Sequence, residues 1–320
     1  MKQTTLYMLV ALCAASGAAA LAATRNRGGD REGAWPRARA PFALPTMPSA
    51  EHEHIKAARG FSHSSALLAF SALADSAVEH YRGSFDNNAM YAPLAAATGA
   101  LLAGLHGGVD RTEASHSVRH AVYLAAVTTG VAGTAFHLYN VTKRPGGWSW
   151  HNLFYGAPLG APLTLLLSGA LGAVGERLRN EPAEDPQLFG MPAGRALALA
   201  TSIGLAGTVA EVALLHFRGA FQHRAMYVPV TVPPVAAVLL THAALSAPQS
   251  RWFTRVWLRM TATLGLVGSL FHARGVARSQ GGWRNWSQNV LAGPPLPAPP
   301  GFTALAMAGL AALRMRETEK

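Results

Sequence analysis

The chain has 320 residues, of which 50% are hydrophobic and only 13% are charged, and its formal net charge is +11. A soluble protein carries about 25% charged residues, so this composition excludes an ordinary soluble domain and indicates a polytopic membrane protein. The single cysteine, Cys13, excludes an internal disulfide and a cysteine-ligated metal site, and the lack of a CxxCH motif excludes covalently attached haem.

The positive charge does not indicate nucleic-acid binding, because the Lys and Arg residues are spread over many short loops. Contact with the anionic head groups of a lipid bilayer explains that distribution. We therefore expect the bilayer, and not a nucleic acid, to be the partner of these charges.

The N-terminus opens with an apolar stretch, and a basic, Pro- and Ala-rich loop follows at 24–61. Residues 1–23 fit either a cleaved signal peptide or an uncleaved anchor helix, since Lys2 precedes the apolar run and small residues end it. The cluster of arginines from Arg25 to Arg39 opposes export and favours the anchor.

Eight further apolar segments predict transmembrane helices and, with the N-terminal segment, an all-α integral membrane protein. The predicted segments are 62–80, 89–106, 119–138, 159–176, 194–216, 226–245, 255–273 and 298–314.

One phrase occurs twice, as HYRGSF at 80–85 and as HFRGAF at 216–221. Around it, residues 75–106 and 211–242 are identical at 11 of 32 positions without a gap. Such self-similarity is the signature of an internal repeat.

The similarity continues along the chain at an offset of 135 to 137 residues, and GVAGTAFH at 130–137 matches GLVGSLFH at 265–272. An even number of helices in each copy makes the copies parallel, related by an axis along the membrane normal. The predicted organisation is a four-helix repeat at 62–178, an acidic linker at 179–193 and a second four-helix repeat at 194–316.

Four histidines occupy equivalent positions in the repeats and are predicted to lie near one membrane face. His80 and His216 end the first helix of each repeat, and His137 and His272 end the third. Imidazole nitrogen is a common ligand of metals and of haem iron, although a histidine at a helix end is also a common interfacial residue. We predict one b-type haem in each repeat, ligated by His80 with His137 and by His216 with His272.

Glycines line the third helix of each repeat ahead of its histidine. They are Gly130 and Gly133 in the first repeat and Gly265 and Gly268 in the second. An open glycine face would let a porphyrin plane approach the helix, whereas the same spacing also allows two helices to pack closely.

Two carboxylates, Asp75 and Glu211, occupy equivalent positions inside the predicted membrane region. Intramembrane acids are costly and are therefore functional candidates. Arg82 and Arg218 follow the first-helix histidines, and we expect them to pair with these acids across helices or to bind an anionic group such as a haem propionate.

Other polar and aromatic residues suggest secondary features of the same architecture. His106 and His242 lie near the opposite face, where His120 could meet His106 and form a second redox centre in the first repeat alone. Four tryptophans that follow the third helices are predicted to anchor the membrane interface. They are Trp148, Trp150, Trp283 and Trp286.

The segments GAPLGAPL and GPPLPAPP precede the last helix of each repeat, and their prolines forbid regular helix. Irregular backbone at membrane depth must be buried in protein or line a cavity. We expect either a re-entrant lip over the histidine face or an extended approach to a short helix.

The function predicted from these features is a membrane electron-transfer subunit, which passes electrons between a quinone pool and a partner dehydrogenase or oxidase. A transporter or small-molecule-binding protein with a site between the repeats is the main alternative, and a structural subunit of a membrane complex is the second. One side of the predicted topology carries 18 of the 26 Lys and Arg residues after Lys2. We therefore expect a multi-pass inner-membrane protein with a cytoplasmic C-terminus.

Overall fold

The structure, a computed structural model, describes residues 52–156 and 158–319, which form eight long helices. Each helix overlaps one predicted segment, so the all-α prediction is confirmed for this part of the chain. The N-terminal segment 1–23 lies outside the described residues. The helices are α1 Glu53–Arg82, α2 Ala92–Val109, α3 Ser117–Lys143, α4 Gly160–Leu178, α5 Ala193–Arg218, α6 Val232–Leu245, α7 Trp252–Arg278 and α8 Pro300–Thr318.

Short elements connect the long helices. The 3₁₀ helices Asn88–Tyr91 and Arg224–Val230 precede α2 and α6, and the short helix Trp150–Tyr155 follows α3. The 3₁₀ helix Gly282–Asn285 and the short helix Trp286–Asn289 follow α7. In the linker, β1 Gln187–Leu188 pairs antiparallel with β2 Met191–Pro192.

Helix α1 begins at Glu53, nine residues earlier than predicted, so residues 53–61 are helical rather than part of the basic loop. Ile55, Ala58 and Phe61 recur at helical spacing and are each at most 1% exposed. The frequent charges around them suggested a loop, but these charges lie on a helix whose other face is buried in the protein.

Four of the eight helical segments are long and apolar enough to cross a membrane. The segments that meet this description among the described residues are Asn88–Val109, Ser117–Lys143, Ala193–Arg218 and Arg224–Leu245. Helices α1 and α8 are more polar, and both are packed among other helices. Because protein rather than lipid surrounds them, they can bury serines such as Ser62, Ser64 and Ser65.

Within the first half, α1 packs on α2 and α4, and α3 packs on α4. Within the second half, α5 packs on α6 and α8, and α7 packs on α8. The two halves join mainly along α1 and α8, whereas α4 and α5 touch over a shorter stretch. The core therefore runs from α1 through α8 into the second half.

Small residues allow the closest helix contacts in the first half. The Ser65 hydroxyl donates to the Ser168 carbonyl at 2.8 Å, and the Ser168 hydroxyl donates to the Ser65 carbonyl at 2.9 Å. These reciprocal hydrogen bonds between α1 and α4 satisfy the serine hydroxyl groups, which lipid chains could not hydrogen-bond.

Helices α3 and α7 bury matching positions. The buried residues of α3 are Arg119, Tyr123, Ala126, Gly130 and Val141, and those of α7 are Thr254, Leu258, Thr261, Gly265 and Val276. Each pair is offset by 135 residues, which is the offset of the sequence similarity in this region.

Candidate functional site

The duplicated phrase forms the turn that ends α1 and α5. After the shared glycine, two residues adopt a left-handed conformation in both halves, which costs a non-glycine residue roughly 1 kcal/mol or more. They are Ser84 (φ 54°), Phe85 (φ 47°), Ala220 (φ 53°) and Phe221 (φ 45°). In return, the Phe85 N–H donates to the His80 carbonyl and the Phe221 N–H donates to the His216 carbonyl, both at 3.0 Å.

This turn places an aromatic ring against each histidine. The Phe85 ring meets the His80 ring edge-on at 6.2 Å and stacks on Tyr91 at 4.5 Å. The second half repeats the arrangement at 6.1 Å and 4.5 Å, with His216, Phe221 and Tyr227. The repeated phrase therefore forms a turn that orients the imidazole of His80 or His216.

Each first-helix histidine is hydrogen-bonded through Nδ1 to a backbone carbonyl. His80 Nδ1 lies 2.7 Å from the Met90 carbonyl oxygen, and His216 Nδ1 lies 2.8 Å from that of Met226. A carbonyl can only accept, so Nδ1–H is the donor and the neutral ring keeps its lone pair on Nε2.

The third-helix histidines have the same arrangement, with carbonyls supplied by the proline segments. His137 Nδ1 lies 2.5 Å from the Pro158 carbonyl oxygen, and His272 Nδ1 lies 2.7 Å from that of Pro295. Both carbonyls precede the first residue of the following helix. The segments that precede α4 and α8 therefore contact the histidines through backbone carbonyls.

The two histidines of each predicted pair lie in the same region of the structure. The imidazoles of His80 and His137 lie within electrostatic range of one another, as do those of His216 and His272. All four side chains are half-buried. A histidine that donates Nδ1–H to a carbonyl and presents Nε2 has the arrangement typical of metal and haem ligands.

Two histidines suffice for a haem, because the porphyrin supplies the other four nitrogens. Over residues 52–156 and 158–319, no group of three or more His, Cys, Asp or Glu residues is arranged to hold a bare metal ion.

The open slot expected along the glycine face is not formed, because another helix occupies that face. A Cβ on Gly130 would lie 2.6 Å from the Leu166 nitrogen and 2.7 Å from the Pro162 oxygen, both in α4. In the second half, a Cβ on Gly265 would lie 2.7 Å from the Pro299 oxygen. The glycines therefore allow α4 and α8 to pack against α3 and α7.

Gly133 and Gly268 lie one turn closer to the histidines and contact proline side chains. An added Cβ would lie 3.1 Å from Pro162 Cβ at Gly133 and 2.9 Å from Pro299 Cβ at Gly268. The close approach brings the Pro158 carbonyl within reach of His137. The four glycines thus position the histidine partners rather than line a cofactor.

The arginines after the histidines do not pair with the intramembrane acids, contrary to expectation. Arg82 Nη1 lies 2.7 Å from Glu79 Oε1, in an exposed pair one turn apart on α1. The Arg218 guanidinium lies 5.7 Å from the Phe154 ring centroid and 5.4 Å from that of Tyr155. Each arginine binds a group that lies closer to it than the expected acid does: the Glu79 carboxylate for Arg82, and the Phe154 and Tyr155 rings for Arg218.

Glu211 lies where the two halves adjoin. The Gly160 N–H, at the start of α4, donates to the Glu211 carboxylate of α5. Asp75 of α1 lies within electrostatic range of Glu211. A side chain at position 160 would displace the Glu211 carboxylate, which occupies that space.

A buried ion-pair cluster on the opposite face was missed by sequence reasoning. Arg119, 3% exposed, donates to Glu176 through Nε at 2.7 Å and through Nη2 at 3.1 Å, and its Nη1 lies 2.7 Å from Asp110 Oδ2. Burial opposes ionisation of Asp110, but its hydrogen bonds to the Thr112 N–H and to Arg119 lower the pKa to about 2. The cluster ties α3 to α4 and to the end of α2.

His106 belongs to this cluster. The contact between His106 and His120 that the sequence suggested is not formed, and Arg119 and His116 are the partners of His106 instead. Its Nδ1 accepts a hydrogen bond from Arg119 Nη1 at 2.9 Å, and its ring lies edge-on to His116 at 5.9 Å. In the second half, His242 Nδ1 likewise contacts Arg251 Nη1 at 3.3 Å. The arginines therefore engage these histidines in place of a second redox centre.

Two buried arginines bind the carbonyls that end the second helix of each half. Arg179 Nη2 donates to the Gly107 carbonyl at 2.7 Å, and Arg316 Nε donates to the Ala243 carbonyl at 3.2 Å. Extending the repeat alignment into the last helices at an offset of 137 would have found this pair. The acids Glu176 and Glu317 do not align at this offset, because Glu317 lies one helical turn beyond the position that is equivalent to Glu176.

The four tryptophans predicted as anchors are all exposed on the histidine face. Their exposed fractions are 65% for Trp148, 70% for Trp150, 50% for Trp283 and 51% for Trp286. Rings in this position suit the boundary between lipid and water.

Comparison with known proteins gives no match: no family model, no curated protein and no solved structure is significantly similar to this chain. The functional interpretation therefore rests on the chemistry of the site described above.

Proposed function

We propose that this protein is a membrane electron-transfer subunit that binds one b-type haem in each half. The observation that carries the proposal is the common orientation of four histidines. Each donates Nδ1–H to a backbone carbonyl at 2.5 to 2.8 Å, and the four form two neighbouring pairs.

In this proposal, His80 and His137 would hold the haem of the first half through Nε2, and His216 and His272 would hold that of the second. Bound haem supplies a one-electron redox centre. The Nδ1–H bonds to carbonyls fix the tautomer and raise the basicity of Nε2, which strengthens it as an iron ligand. The stacked Phe85 and its counterpart restrict rotation of the imidazole.

The partners that follow from this role are a quinone pool and a redox subunit of an inner-membrane complex. The exposed tryptophans beside the histidines and the four apolar helices support a membrane location. Because both sites lie at one face, an electron-exchange partner would dock there.

The test is an optical spectrum of the protein purified after haem-replete expression. The wild type is expected to show a Soret band and reduced b-type bands. His137→Ala and His272→Ala should each remove about half of the absorbance, since each half holds one site. The matched control is His151→Ala, because His151 is exposed and its ring contacts Tyr155. A wild type without a Soret band excludes this function.

The finer architecture forms part of the same proposal, namely two parallel repeats related by an axis along the membrane normal, with a cytoplasmic C-terminus. The equal offset of buried positions in α3 and α7 supports it. We expect Ser84→Cys and Ala220→Cys, in a background with Cys13 replaced, to react with an impermeant maleimide from the same side of the membrane. Labelling from opposite sides excludes parallel repeats.

A second candidate is proton-linked transport, which is favoured by Asp75 and Glu211 where the halves adjoin. Carboxylates at membrane depth are typical of proton relays. If the spectrum lacks a Soret band, proteoliposomes with a trapped pH dye should show proton uptake that Glu211→Gln abolishes. Glu79→Gln, which changes an exposed acid of α1, is the matched control.

A further inference from the structure

A cavity of about 180 Å³ lies in the seam between α1 and α8, the helices that join the two halves. Its floor is apolar, and basic side chains stand at its rim. The residues that carry the argument are Lys56, Gly60, Met307, Leu310, Ala311 and Arg314.

The seam exists because the two helices touch through small residues. A Cβ on Gly60 would lie 3.1 Å from the Ala311 Cβ, so the backbones approach each other closely at this point. The longer side chains of Met307 and Leu310 stand beside that contact and are only half-buried. A narrow apolar groove results, which has room for a hydrocarbon chain but not for another helix.

The rim of the groove carries Glu53, Lys56 and Arg314, so its net charge is positive. Lys56, in the first turn of α1, shares its ammonium with Glu53 at 2.7 Å, and both side chains remain over 40% exposed. Arg314, near the end of α8, is exposed, and its guanidinium forms no ion pair with any residue that the structure describes. Lys56 and Arg314 line the same cavity although they lie on different halves.

We infer that this seam binds an anionic phospholipid, with the phosphate against Arg314 and Lys56 and one acyl chain along Met307 and Leu310. Basic pockets between membrane helices are typical sites for anionic head groups. The apolar floor favours a lipid over a soluble anion, because an inorganic anion would leave that surface in contact with water.

The lipid would act as a clamp between the two halves, since its head group contacts residues of both α1 and α8. The start of α1 and the end of α8 also lie on the side that the sequence predicts to be richer in Lys and Arg. The site does not depend on whether the histidines bind haem.

Native mass spectrometry tests this inference on the full-length protein, after exchange into mild detergent with either phosphatidylglycerol or phosphatidylcholine. We expect one phosphatidylglycerol to be retained and phosphatidylcholine to be lost. Arg314→Gln combined with Lys56→Gln should weaken retention by roughly 30-fold, because each basic residue near an anionic head group contributes about fivefold. Inorganic phosphate should not displace the lipid.

Two further variants separate charge from space. Met307→Trp keeps both charges but fills the groove, so it should also release the lipid. Arg278→Gln removes an exposed arginine at the end of α7, away from the seam, and should leave retention unchanged. Equal retention of both lipids, undiminished retention in the double variant, or displacement by phosphate overturns the inference.

Discussion

Replacing Gly130 with alanine tests how the histidine site is built. The new Cβ would lie 2.6 Å from the Leu166 nitrogen, 2.7 Å from the Pro162 oxygen and 2.8 Å from the Leu166 Cα. These are backbone atoms of α4, so no side-chain rotation relieves the contacts. Since non-bonded atoms prefer about 3.5 Å or more, α4 must move by roughly 0.8 Å.

We expect this overpacking to lower the free energy of unfolding by about 1 to 3 kcal/mol. Displacement of α4 should also lengthen the bond from His137 Nδ1 to the Pro158 carbonyl, which precedes α4 directly. The readout is the thermal unfolding temperature in detergent without added haem, where each kcal/mol corresponds to roughly 2 to 4 °C.

Gly207→Ala is the matched control, because an added Cβ there would meet nothing within 4 Å. Alanine favours helix over glycine by up to about 1 kcal/mol, so this variant of α5 should be as stable as the wild type or more stable. If Gly130→Ala unfolds at or above the wild-type temperature, α4 does not pack on the glycine face, and the open-slot interpretation returns.

Three further predictions concern the opposite face and the topology. Glu176→Gln should destabilise the protein by about 3 kcal/mol because it removes one of the two carboxylates that bind the buried Arg119, whereas Glu53→Gln, in an exposed pair, should change stability by less than about 1 kcal/mol; chemical denaturation measures both. The depressed pKa of Asp110, about 2, contributes roughly 2 kcal/mol to the free energy of unfolding. This contribution is present above about pH 4 and is lost as the pH falls towards 2, so an acid titration of unfolding should lack this step in Asp110→Asn. A reporter fused after the last residue should be active in the cytoplasm, and activity only in the periplasm would contradict the predicted orientation and favour a cleaved signal peptide.

Much of the helical arrangement follows from composition and periodicity. Long apolar runs specify where helices lie, because backbone polar groups in lipid must be satisfied within a helix. The internal similarity likewise led to His80, His137, His216 and His272, since residues retained in both copies stand out from a diverged background. The start of α1 was misplaced because a helix that is buried by protein can carry charges which resemble those of a loop.

The sequence by itself determined the all-α membrane class, the offset between the halves and the identity of the four equivalent histidines. Only the tertiary structure decided what the glycines contact, since one spacing serves a cofactor face and a helix contact equally well. It also decided the partners of Arg82, Arg119 and His106, because a charged side chain binds the nearest available group in space. Glu176 and Glu317 differ in the same way: they occupy different positions in their helices, and they bind Arg119 and Arg255, which are not equivalent at the 135-residue offset.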